Sequence, residues 1–217
     1  VTPAEVIVEA RKLLQDTQSP YRYSDTDLLG YVNQVLKRIV VFRPDLFTNI
    51  TSIPLAANTV IQDLPSDAHR LVEIYYIDNF NAVSEVEREI LERAYPLWVS
   101  DPSGIPFNFI RHPRNATKFF LYPRPIANLT ATAEYVVEPN SYTINQTIPY
   151  LKETYLGAVI DGVVWLASSI DDEHVLSNRA KLFYDSFVQA LGVDLQQRAL
   201  IDNENAPAPP MAAGRPQ

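Results

Sequence analysis

Few residues in this chain are placed to do chemistry. The densest candidate is Asp171-Asp172-Glu173-His174, where adjacent carboxylates beside an imidazole could bind a metal ion or move a proton. No second ligand cluster accompanies this run. Acids there also suit an interhelical turn, where they meet the positive end of a helix dipole. Asp161 stands alone among the acids of the apolar run Tyr155 to Ile170. A carboxylate in that setting is either held by a partner or left with a raised pKa that could serve acid–base work. His69 and Arg70 follow Pro65-Ser66-Asp67 and could hold an anion or simply form a turn leading into a strand. A hydrolase would have to rely on Asp161 or on residues 171–174, because no serine sits in a GxSxG context.

Composition narrows the choice further. Cysteine is absent, which removes disulfides, thiol catalysis and cysteine-based zinc or iron–sulfur sites. No two of His69, His112 and His174 lie at metal-ligand spacing, and no glycine falls in a phosphate-cradling GxGxxG or GxxxxGK[ST] loop. No cofactor, no metal and no catalysis are therefore expected. The 26 acids against 18 bases give a formal charge of −8, a poor balance for a dedicated binder of DNA or of a membrane surface. The 17 prolines and 12 tyrosines suit a structural or interface protein. The opening residues carry Glu5, Glu9, Arg11 and Lys12 and do not read as a signal peptide. Asp161 interrupts the one long apolar run, so no membrane partner is expected.

One window departs from the acidic average. Between Pro102 and Ala133 there is no Asp or Glu, while Arg111, Arg114, Lys118, Arg124 and His112 interleave with Phe107, Phe109, Phe119, Phe120 and Tyr122. Basic residues among strand aromatics are a footprint of single-stranded nucleic-acid binding. The same pattern arises when aromatics enter a core and the cations guard edge strands. It also suits a basic patch that faces an acidic protein partner. Residues 107–124 are thus a candidate nucleic-acid-binding hairpin on one reading. On another, Arg111, Arg114, Lys118 and Arg124 are a partner-facing patch.

The elements that must position these residues read as helices, then strands, then helices. Thr2, Pro3 and Glu5 make a capping box for a first helix ending near Asp16. Ser24 and Asp27 open a second, which Pro44 ends, and the two are expected to form an antiparallel hairpin. Strands are expected at Thr51–Leu55 and Thr59–Leu64, joined as a hairpin through Ala56-Ala57-Asn58. Further strands are expected at 70–77, 107–111, 118–122 and 129–137. A helix capped by Ser84, with Val86, Ile90 and Leu91 facing inward, interrupts them. Helices return at Tyr150, and the last ends at Gly192 or continues to about Ile201. Residues 202–217 lack core formers and read as a flexible or polyproline-like tail around Ala206, Pro207, Pro209, Pro210 and Met211. The class is α+β. A helical domain built from both chain ends, with about four main helices, surrounds a central, mainly antiparallel β-rich domain. The expected divisions are 1–47, 48–149, 150–201 and 202–217.

The run ARKLLQD, followed by YRYSDTDLLGYVNQVLKRIVVFRPDLF, resembles the head-to-tail adaptor (connector) proteins of tailed bacteriophages, of the tail tubular protein A-like kind. Leu64-Pro65-Ser66-Asp67-Ala68-His69-Arg70-Leu71 and the paired C-terminal helices fit the same family. The resemblance implies a structural virion protein at the head–tail junction, made in the host cytoplasm. It implies a homo-oligomeric ring, about twelve-fold, below the portal protein. Such a ring extends the channel for passing double-stranded DNA without binding it specifically, and gives the tail or nozzle protein a docking platform. In that family the C-terminal extension commonly docks on the portal, which makes Ala206, Pro207, Pro209, Pro210 and Met211 the candidate docking tail. A tail-completion protein is the nearest structural rival.

Overall fold

A computed structural model describes residues 1–169 and 177–204. The cluster 171–174 and the tail residues Ala206, Pro207, Pro209, Pro210 and Met211 lie outside the described residues. The chain forms two compact units, one of residues 1–35, 144–146 and 152 onward, the other of residues 36–143 and 147–151.

The first unit is helical. Helix α1 spans Pro3–Leu14 and begins as its sequence dictates. The Thr2 hydroxyl accepts from the Glu5 amide, and the Glu5 carboxylate accepts from the Thr2 amide at 2.8 Å. It ends at Gln15, whose left-handed backbone lets its amide close on the last carbonyls. Helix α2 spans Asp25–Phe42 and is capped by Ser24, whose hydroxyl accepts from the Asp27 amide at 3.0 Å. Helix α3 (Arg88–Ala94) lies in the second unit. Helix α4 (Leu156–Ser169) follows a short 3-10 turn at Glu153–Tyr155, and α5 spans Ser177–Glu204. Close packing runs from α1 to α4 and from α4 to α5. The nearest neighbour of α1 is thus a helix from the other end of the sequence, where the periodicity suggested α2. Val6, Ala10, Leu28, Val32, Val159, Val163 and Phe187 are fully buried in this unit. Helix α5 continues past Gly192 and through Asp202. Tyr150 and Leu151, read as the start of a helix, instead group with the second unit, where Tyr150 packs on Phe47.

The second unit layers two sheets. Strands β1 (Thr48–Leu55), β7 (Leu129–Val137) and β3 (Ala68–Ile77) form an antiparallel sheet in the order β1-β7-β3. Strands β2 (Ile61–Asp63), β6 (Lys118–Tyr122), β5 (Asn108–Arg111) and β4 (Ser84–Glu85) form the other, with β4 parallel to β5. Between them lies a core that includes Ile53, Leu71, Ile74, Phe109, Phe119, Leu121 and Ala133. Phe120 and Tyr122 alternate away from it, onto a second cluster with Leu91, Trp98 and Ile110.

Two expectations fail here for identifiable reasons. The Ala56-Ala57-Asn58 turn exists, with Asn58 in the left-handed region at φ 55°, but β1 and β2 separate into different sheets. The buried Gln62 side chain takes the place of a hairpin ladder. Its Oε1 accepts from the Ala56 amide at 2.7 Å, and its Nε2 donates to the Ala56 and Thr59 carbonyls. Likewise Ser84 does not cap a helix. It lies in β4, and α3 spans only Arg88–Ala94. Leu91 is buried but Ile90 is exposed, because the short helix turns only one residue inward.

Candidate functional site

Strand β3 sets the geometry of the candidate site. Its buried residues are Ala68, Leu71, Ile74 and Ile77, a period of three in a strand. They stand opposite Val137, Tyr135, Ala133 and Ala131 of β7, so each step takes three residues of β3 against two of β7. Successive bulges absorb the surplus. β3 is also the edge strand of its sheet, so carbonyls on its free side have no ladder partner. Arg111, at the end of β5, meets two of them. Its guanidinium donates to the Leu71 carbonyl at 2.6 Å and to the Val72 carbonyl, while Nε donates to Glu85 at 2.6 Å.

The window of basic residues therefore divides into distinct environments. Arg111 is committed to Glu85 and the β3 carbonyls. Lys118 is paired with Asp63 across β6 and β2. Arg114 is exposed at the turn between β5 and β6. Arg124 is half-buried, with its Nε buried and without a hydrogen-bond partner among the described residues. Phe109 and Phe119 are wholly buried. Phe120 carries the His112 ring stacked at 5.3 Å and meets Trp98 edge-on at 5.9 Å. The aromatics of the window thus serve mainly the core, as one of the sequence readings held.

The fold brings together residues that the sequence keeps apart. Arg70, Arg111, His112, Asn115 and Lys118 line one open groove of about 430 Å³. His69, next to Arg70, is exposed on β3 and does not line it. A second groove of about 580 Å³ is mixed in charge: Glu85, Glu87 and Glu89 line it together with Arg88 and Arg111, beside Ile110 and Pro113. Arg111 borders both grooves.

Asp161 is held structurally. It accepts from the Ser186 hydroxyl at 2.6 Å, tying α4 to α5. Sequence reasoning missed the strongest charged knot in the helical unit. Buried Arg11 donates to buried Asp16 at 2.6 Å, to Asp25 at 2.7 Å and to the Tyr23 carbonyl at 2.9 Å. Asp16 also accepts from the Arg22 and Tyr23 amides. The available signal was the recurrence of Asp at both ends of the α1–α2 loop, close to a lone Arg inside an apolar stripe. Burial pushes the Tyr122 hydroxyl up to about 12, reinforced by its 2.9 Å hydrogen bond to Asp101.

Among the described residues no group of three or more His, Asp or Glu is placed to hold a metal ion. No helix among them is long and apolar enough to cross a membrane. The described residues display two surface grooves, one basic and one of mixed charge, and exposed apolar side chains such as Tyr95, Leu97, Val99 and Phe107. That is the equipment of a subunit that engages other proteins. The model of the SU10 adaptor protein family matches residues 1–210, and the chain belongs to that family of phage adaptors. Its role is that of a phage structural adaptor rather than a catalyst, acting with other virion proteins. None of the curated proteins compared with it matches the chain.

Proposed function

We propose that this chain is the repeating subunit of a head-to-tail adaptor ring, of the tail tubular protein A-like kind, assembled below the portal of a tailed phage. Family membership across residues 1–210 carries this reading. About twelve copies close a ring through a heterologous interface, which requires two different faces on each subunit. The ring continues the DNA channel and offers the tail or nozzle protein its platform. The charge of −8 supports passage of double-stranded DNA, because like charge keeps phosphates from adhering.

The segment Ala206, Pro207, Pro209, Pro210 and Met211 docks on the portal, and of the four basic residues Arg114 and Lys118 belong to a partner-facing surface, while Arg111 and Arg124 are drawn into the fold. A segment without core formers suits ordering on a partner. Co-sedimentation with purified portal rings tests the tail's role. The full chain should travel with the portal, and a chain truncated after Glu204 should not. Equal co-sedimentation of both would remove the tail from the docking role.

A nucleic-acid-binding module centred on 107–124 is the second reading, favoured only by the basic character of that window. Its mark would be steeply salt-dependent binding to single strands.

A further inference from the structure

We propose that the groove lined by Arg70, Arg111, His112, Asn115 and Lys118 is a docking site for a carboxylate-bearing protein segment of a partner. This deepens the partner-facing role given above to Lys118, and it rests on that reading. Most hydrogen-bonding atoms in the groove are already used. The His112 Nδ1 accepts from the Arg114 amide at 3.2 Å and from the Asn115 amide at 3.0 Å. Backbone amides can only donate, so Nδ1 carries no proton and the ring's N–H is at Nε2. The Asn115 Oδ1 accepts from the Thr117 amide at 3.0 Å and its hydroxyl at 2.8 Å, which leaves the Asn115 Nδ2 donors. The carbonyls in the walls are occupied too. Leu71 and Val72 accept from Arg111, Ala116 from the Leu71 amide, and Lys118 from the His112 amide.

What remains is a set of donors. The Arg70 side chain is exposed and has no hydrogen-bond or ion-pair partner among the described residues. The His112 Nε2–H, the Asn115 amide group and the spare protons of Lys118 join it. The nearby carboxylates Glu85 and Asp63 each already hold a cation. A hollow with spent acceptors and open cationic donors selects an oxyanion.

A protein carboxylate fits better than a nucleic-acid strand. Phe109 and Phe119 are wholly buried, and Phe120 is covered by His112 and Trp98, so stacking platforms for bases are scarce.

The test uses the full chain with a fluorescein-labelled octaglutamate peptide, read by anisotropy. Inorganic phosphate and a twelve-nucleotide oligothymidine serve as competitors. Arg70→Ala should weaken peptide binding about five- to tenfold, and Arg70→Glu more, while Lys37→Ala leaves it unchanged. Arg70→Gln provides a second neutral variant should one substitution disturb folding. Absence of saturable peptide binding, or binding indifferent to Arg70, would overturn the proposal. Competition by phosphate at equal concentration would reduce the groove to a free-anion site. Tighter, Arg70-dependent binding of the oligonucleotide would replace the carboxylate partner with a nucleic acid. Lost peptide binding with portal association intact would leave the adaptor reading standing. Retained peptide binding without portal association would count against that reading alone.

Discussion

Arg111 donates to the carbonyl oxygen of Leu71 at 2.6 Å across the gap between the two sheets, and so seals a bulge in β3. The same guanidinium holds Glu85 of β4. One cation therefore ties β3 to the β4–β5 pair of the other sheet. A residue that looks like free binding charge in the sequence is a structural clamp in the fold.

Replacing that clamp should cost stability rather than merely surface charge. Arg111→Lys keeps the charge but cannot serve two carbonyls and a carboxylate in one plane. The expected loss is about 1–2 kcal/mol, read by urea denaturation. Wild-type stability in Arg111→Lys would show that the guanidinium geometry is dispensable.

The Arg11 knot predicts an asymmetry between its two acids. Asp16 is buried and also accepts two backbone amides, whereas the Asp25 side chain is 61% exposed. Asp16→Ala strands a buried guanidinium and should cost about 3 kcal/mol. Asp25→Ala should cost less than about 1 kcal/mol. Equal losses in chemical denaturation would contradict this assignment.

Gly162 marks a tight crossing in the helical unit. A Cβ there would lie 2.8 Å and 3.0 Å from the two Val35 methyl carbons and 3.2 Å from the Phe187 ring. Val35 and Phe187 are both fully buried, so neither side chain has solvent to move into. Gly162→Ala gains helix propensity, but the clash should leave it destabilised by about 1–2 kcal/mol. Adding Val35→Ala removes the clash, and the double mutant should show favourable coupling of about 1 kcal/mol. Strict additivity in the cycle would refute the contact.

Tyr122 gives the fold a limit at alkaline pH. Its hydroxyl is raised from 10.0 to about 12, so the folded chain holds a proton that the unfolded chain releases first. Its contribution is complete below pH 10 and is lost as pH rises towards 12. Tyr122→Phe should flatten the fall in stability across that interval. An unchanged slope would assign the fall to other groups.

Local signals were legible in the sequence where local physics decides. Thr2-Pro3-x-Glu5 and Ser24-x-x-Asp27 cap their helices as written, and β6 and β7 occupy the expected residues. Partner choice was not legible. Gln62 gives β2 to a different sheet from β1, and this depends on where one side chain folds back. The three-residue period of β3 obscures the two-residue alternation, because the bulges are set by β7 from a distance. The words that carry the family resemblance correspond largely to internal ion pairs. Asp16 and Asp25 hold Arg11, and Asp45 holds the fully buried Arg43 through both its oxygens, each at 2.9 Å. They report how the chain folds. The groove needed the structure, since Arg70 and Lys118 meet only when β3 lies beside the β5–β6 hairpin.

The central claim is that this chain assembles on a portal. Electron cryo-microscopy of the full chain mixed with a purified portal ring tests it most directly, beside the chain alone. A second ring should stack coaxially on the portal, with density for residues 205–217 reaching the portal surface. A chain that stays monomeric by itself is compatible with assembly triggered by the acceptor. Portal rings that remain bare at saturating concentrations of the chain would contradict the account.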